Sequence, residues 1–186
     1  LFYYTDIFKA GRTNRYYLNA VDGLLKVGEK LHDPLLVPSL VNENLDPDGF
    51  GQLDSARIAQ VNYMIGELLF RQRRNTDARA FLEFVPPESK YYGQARYLLG
   101  ILEVRSGNLE GAVNHIRVVI DSIPADTESE ELGDVRNLAL LAYGRVLYSL
   151  GRFDEASKYY GKIPRFSTWW FDSMYENAWS YYKQNN

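Results

Sequence analysis

Small residues recur along this chain at a spacing that few folds can use. Gly66 and Gly100 stand 34 residues apart, Gly144 follows after 44, and Ala178 after another 34. The same steps join Ala78, Ala112 and Ala156. They join Leu82, Ile116 and Tyr160, and again Val85, Val119 and Ile163. Four columns in one register mark a repeated unit, and a period near 34 belongs to helical solenoids.

Close packing explains the columns. A small residue on each of two facing antiparallel helices lets the axes approach and buries the larger residues around them. Gly107 and Gly151 end the first helix of their units, where a left-handed conformation is needed. Pro86-Pro87, Pro124 and Pro164 stop the second helices. Arg73 stands where the other units carry the turn glycine, and ten extra residues follow Pro124.

The pattern resembles the tetratricopeptide repeat (TPR) family. The matching stretches are Tyr97-Leu98-Leu99-Gly100 with Gly107-Asn108-Leu109-Glu110-Gly111-Ala112, and Tyr143-Gly144 with Gly151-Arg152-Phe153-Asp154-Glu155-Ala156. The resemblance runs from about Ser55 to Asn186. It implies an all-α fold: a TPR-type right-handed superhelix of antiparallel helix pairs, with about 8–9 helices. The repeats fall at about 59–92, 93–126 and 137–170, and 171–186 forms the first helix of a fourth. That last segment, with Trp169-Trp170 and Glu176-Asn177-Ala178-Trp179, loosely resembles TPR proteins of bacterial cell envelopes.

Residues 1–54 match the repeat poorly and read as a degenerate hairpin plus a loop. A short aromatic helix runs from Leu1 to Lys9 and stops at Gly11. A second, capped by Asn14, covers Arg15 to Leu31. Asp33-Pro34 is a good start for a third, ending near Leu45. From Asn44 the run Asn44-Leu45-Asp46-Pro47-Asp48-Gly49 is similar to the opening of a calcium loop, but Ser55 stands where the bidentate Glu is required. The competing reading is an Asx/Pro/Gly turn, with Asp54 or Ser55 capping the next helix. The acidic segment Ala125–Asp134 offers Asp126, Glu128, Glu130, Glu131 and Asp134 to a cation or basic partner. Against this stands a solvated loop leading into a first helical turn, where carboxylates suit the helix dipole.

Composition narrows the function classes. The net charge of −3 supplies no field for nucleic acid or an anionic membrane. No apolar run reaches the ~20 residues of a spanning helix. Cysteine is absent, which removes thiolate chemistry and is compatible with an exported bacterial protein. The chain begins at Leu1 and ends at Asn186 inside a helical pattern, so it reads as a piece of a longer protein. His32 and His115 have no neighbouring nucleophile or ligand cluster. His115, beside Ile116, reads as a packing residue. There is no Gly-rich phosphate loop. No catalytic residue, metal site or cofactor is expected.

Fifteen tyrosines, nine phenylalanines and three tryptophans suit contact surfaces as well as cores. In TPR arrays the first helices line a concave face. The resemblance therefore places Tyr63, Glu67, Phe70 and Arg71 with Tyr97, Ile101, Arg105, Arg145 and Tyr148 in a partner-binding groove. Aromatics beside arginines suit an extended peptide or helix carrying apolar anchors and acidic groups. The Lys/Asn carboxylate clamp of chaperone-tail receptors is missing, since Tyr and Glu or Ile occupy its positions. The expected function is a non-catalytic scaffold for a protein or peptide partner. The alternatives are self-association through the N-terminal aromatic helix and the C-terminal end, where Trp179 and Tyr182 lack a second helix to meet, and a regulatory or targeting role within a larger protein.

Overall fold

The computed structural model describes residues 2–31, 35–44 and 46–184, without the side chains of residues 47 and 48, and among these residues the secondary structure is helices joined by turns and loops, with no strand. The order is α1 (Phe2–Lys9), α2 (Tyr17–Leu31), α3 (Leu36–Asn44), α4 (Pro47–Phe50), α5 (Ser55–Arg71), α6 (Asn75–Leu82), α7 (Tyr92–Ser106), α8 (Leu109–Ser122), α9 (Glu130–Ser149), α10 (Phe153–Tyr160) and α11 (Trp170–Gln184). Ten of these have eight residues or more, above the expected 8–9. The N-terminal segment makes the difference. It forms α1, α2 and α3 where three helices were expected, each counted here in full rather than as parts of a degenerate hairpin, and adds the single turn α4 within the expected loop. Gly11, at φ 77, turns the chain between α1 and α2. The Phe50 N–H donates to the Asp46 carbonyl at 2.8 Å to close α4. Leu1, His32, the Asp33-Pro34 helix start and Leu45 lie outside the described residues.

The chain divides within α7 into two compact units, Leu1–Ala95 and Arg96–Asn186. In the first, α2 and α3 pack on α5, which pairs with α6. Phe8, Val21, Leu24, Leu25, Val37, Ile65, Leu68, Leu69 and Leu82 fill its core. Phe8 stacks on Tyr17 with ring centroids 5.5 Å apart. The Tyr17 hydroxyl accepts from the Asp46 N–H at 3.2 Å. In the second unit, α9 packs between α8 and α10, and α11 packs on α10. Leu140, Leu141 and Leu147 are fully buried there, each contributing roughly 1.5–3 kcal/mol.

The repeat columns have a concrete geometry. A Cβ added to Gly66 would meet Leu82 Cδ2 at 2.7 Å. One on Gly100 would meet Ile116 Cγ1 at 2.5 Å, and one on Gly144 would meet Tyr160 Cε1 at 2.5 Å. The large residue of the second helix thus lies over the glycine of the first in all three units. Ala78, Ala112 and Ala156, four positions earlier, are fully buried. The turns repeat as well: Gly107 has φ 83, Gly151 has φ 74, and Arg73 adopts φ 64 in spite of its side chain. The residues that follow, Arg74, Asn108 and Arg152, share an N-cap conformation with φ between −82 and −87. Asn108 caps α8 by accepting from the Gly111 N–H at 3.1 Å. At the other two positions the arginine pairs with a carboxylate three residues on, Arg74 with Asp77 and Arg152 with Glu155, each at 2.7 Å.

Both acidic stretches have local structural roles. Ser129 caps α9, accepting from the Leu132 N–H at 3.3 Å, and Glu130 and Glu131 lie in the first turn. That is where carboxylates meet the positive end of the helix dipole. Asp46 pairs with Arg12 at 3.3 Å, and Asp54 caps α5 by accepting from the Arg57 N–H at 2.8 Å.

Candidate functional site

Six side chains from three helices of the second unit surround an open cavity of about 340 Å³: Arg145, Tyr148 and Ser149 from α9, Tyr160 from α10, and Glu176 and Trp179 from α11. The helical period sets the α9 contribution. Arg145 and Ser149 are four apart, and Tyr148 is three from Arg145, so all three share one face. Arg145 grips Glu176 with a bidentate fork, Nε at 2.9 Å from Oε1 and 3.0 Å from Oε2, and Nη2 at 2.6 Å from Oε1. The Tyr160 hydroxyl donates to Glu176 Oε2 at 3.0 Å. Its ring lies over Gly144, so the packing column and the cavity meet in one residue.

Charge and burial shape the chemistry of this cluster. Donation to Glu176 holds the Arg145 guanidinium above its ordinary pKa. Burial first, and the Glu176 charge second, push the Tyr160 phenol well above its ordinary value of 10.0. Both groups keep their protons at neutral pH. The site therefore offers a neutral phenol, a guanidinium–carboxylate pair and a half-exposed indole. It can hydrogen-bond a polar group and stack an apolar one.

The nine groove candidates distribute over both units. In the first, Tyr63, Glu67 and Arg71 form one stripe along α5, with Arg71 Nη2 donating to Glu67 Oε1 at 2.7 Å. Tyr63 stacks on Tyr91 with centroids 5.0 Å apart. Burial, then the Glu67 charge, push its phenol well above the ordinary value. Phe70 is half-buried on the same helix. In the second unit, Arg145 and Tyr148 come together at the cavity, and Tyr148 meets Phe153 edge-on at 5.1 Å. Tyr97 and Ile101 pack against the buried core. Burial raises the Tyr97 pKa, and the Arg145 charge works against that rise. Arg105 is exposed on α7.

Glu176 and Tyr160 were missed as site residues. Tyr160 was legible only as a member of a packing column. Glu176 lies 31 residues beyond Arg145, off the repeat spacing, so the columns gave no signal for it. His115 is half-buried with its Nδ1 3.3 Å from Arg96 Nη1, as a packing residue would be. Among the described residues, no group of three His, Cys, Asp or Glu side chains could hold a metal ion, and no helix is long and apolar enough to cross a membrane. No protein-family model, curated protein or solved structure matches this chain.

Proposed function

We propose that this chain is a non-catalytic scaffold, a TPR-type superhelix whose first helices present a concave face to a peptide or protein partner. One observation carries the reading: the Arg145–Glu176 cavity opens beside large apolar side chains left exposed on α11. Phe171 is 73% exposed, Tyr175 66% and Trp179 47%, while Ser173 and Ser180 occupy the buried side of the helix. Aromatic anchors around an arginine fork are the composition of protein contact sites. Affinity capture followed by mass spectrometry tests this, comparing wild type with Trp179→Ala and Arg105→Glu. Both positions are exposed enough to leave the fold intact by circular dichroism. Tyr97→Ala is a poorer probe, because Tyr97 packs on the core. Capture unchanged in both variants rejects the groove.

Self-association is the second reading, favoured by apolar exposure at α1 as well, where Phe2 is 85% and Tyr3 70% exposed. Light scattering at two protein concentrations decides it, since a mass that stays monomeric at both removes this reading.

A further inference from the structure

A second cavity, of about 370 Å³, opens in the first unit between Phe50 of α4, Ile58 and Asn62 of α5, and Ala80, Phe81 and Phe84 at the end of α6. Its lining is apolar except for Asn62. That residue is only 5% exposed, and its side chain makes no hydrogen bond to any described residue. A buried amide with two donors and an acceptor ordinarily has partners. Asn62 lines this cavity.

The repeat spacing puts different side chains at the equivalent positions of the later repeats. The steps of 34 and 44 carry Asn62 to Arg96 and Leu140, Phe81 to His115 and Tyr159, and Phe84 to Val118 and Lys162. At the first set Arg96 reaches His115 at 3.3 Å. At the second, Leu140 is fully buried, Tyr159 packs on the same apolar cluster, and Lys162 lies 4.1 Å over the Tyr159 ring. Larger side chains contact one another at the position both times. In the first unit a short amide and two phenylalanines leave it open, although Leu82 packs tightly over Gly66 a turn away. The opening therefore comes from the choice of side chains at these positions.

We propose that this cavity binds one aromatic residue of a peptide, its ring against Phe81, Phe84 and Ile58 and its backbone amide paired with Asn62. The volume suits one bulky side chain with its peptide group. Among the described residues no charged side chain lines the cavity, so a phosphate, carboxylate or ammonium ligand finds no counter-charge there. The Asn amide can donate to a peptide C=O or accept from a peptide N–H, so it offers the peptide backbone one hydrogen bond. The site belongs to the first unit and the Arg145–Glu176 cavity to the second, and the proposal does not depend on the function proposed for the latter.

The test is amide-shift titration of the full chain with N-acetyl-phenylalanine amide, with benzamide and N-acetyl-alanine amide run alongside. Saturable shifts at α5 and α6, with a dissociation constant of about 1 mM, support the assignment. Asn62→Leu, which copies Leu140, should abolish the shifts and raise the melting temperature. Asn62→Ala should weaken binding roughly 5–10-fold by removing one hydrogen bond. Phe84→Ala, at a position 73% exposed, should weaken it without disturbing the fold. The proposal is overturned by an absence of shifts at ten times the expected constant, which leaves a cavity for water. It is equally overturned by binding that survives Asn62→Leu, or by benzamide binding as tightly as the amino-acid amide, which points to a free aromatic amide.

Discussion

The Tyr160 ring occupies the space that Gly144 leaves by having no side chain: Cε1 lies 2.5 Å from where a Cβ would sit, and Cζ 2.7 Å. The ring cannot simply retreat, since its hydroxyl is bonded to Glu176 at 3.0 Å. Gly144→Ala sets two effects against each other. Alanine gains up to about 1 kcal/mol in helix propensity. Overpacking costs roughly 1–3 kcal/mol when the neighbour must move. We expect a net loss of about 1–2 kcal/mol and a larger one for Gly144→Val, read from urea midpoints. A midpoint equal to or above wild type for Gly144→Ala would show that α9 and α10 can part at no cost.

Arg73 is the converse case, a side chain where the fold prefers none. Its φ of 64 matches the 83 of Gly107 and the 74 of Gly151. A left-handed conformation costs an L-residue roughly 1–2 kcal/mol. Glycine gives back part of that through greater freedom in the unfolded chain. Arg73→Gly should therefore stabilise the protein by about 0.5–1 kcal/mol, and Gly107→Ala should destabilise it by a similar amount. Thermal melts of the two variants check both signs, and an Arg73→Gly variant that melts lower than wild type defeats the argument.

These two positions also show what the sequence could reveal. Glycine columns, turn glycines and proline stops are local choices with one physical meaning each, so helices α5 to α11 were readable from spacing alone. The cap before α5, expected at Asp54 or Ser55, falls at Asp54, whereas α9 is capped at Ser129, ahead of the expected repeat boundary near 137. Contacts between elements without a shared period were not readable. Glu176 reaches Arg145 because α11 packs beside α9 and α10, and nothing in the spacing encodes that approach. Asn62 is similar. It belongs to none of the columns read from the sequence, and an unfilled cavity is the absence of volume, which appears only once neighbours are placed. The N-terminal helices lack the repeat, so contacts between them such as Phe8 stacked on Tyr17 were not readable.

Asp22 ties α2 to α5. Its Oδ1 accepts from Arg57 Nε at 2.6 Å, and its Oδ2 meets Lys26 Nζ at 2.6 Å. The Lys26 hydrogen bond, followed by that of Arg57, holds the carboxyl below its ordinary value of 3.8. A carboxyl depressed in the folded state binds its proton more readily when unfolded. Its stabilisation is therefore present above about pH 4 and is lost as pH falls through the lowered value. Asp22 keeps 32% side-chain exposure, so water screens the pair, and we expect Asp22→Asn to cost only about 0.5–1 kcal/mol at pH 7. The gap between wild type and variant should close in acid. Urea unfolding across pH 2–7 measures it, and a gap of constant size excludes an electrostatic origin.

Tyr160 and Tyr63 set the opposite limit. Both phenols are pushed well above their ordinary value of 10.0, by burial first and then by the neighbouring carboxylates, Glu176 and Glu67. Arg145 and Arg71 pull each the other way more weakly. Above pH 10 the unfolded chain releases these protons while the folded protein keeps them. The unfolded state then binds fewer protons, and stability must fall as pH rises. Tyr160→Phe should cost about 1 kcal/mol at pH 7, where Glu176 loses a donor, yet show a shallower decline in alkali, so the two stability curves converge above pH 10. Tyr63→Phe should flatten the decline in the same sense. Urea midpoints taken between pH 8 and 11, alongside ultraviolet titration of tyrosinate, measure this directly. Parallel curves for wild type and Tyr160→Phe would mean that the Tyr160 phenol ionises as freely in the folded protein as in the unfolded chain.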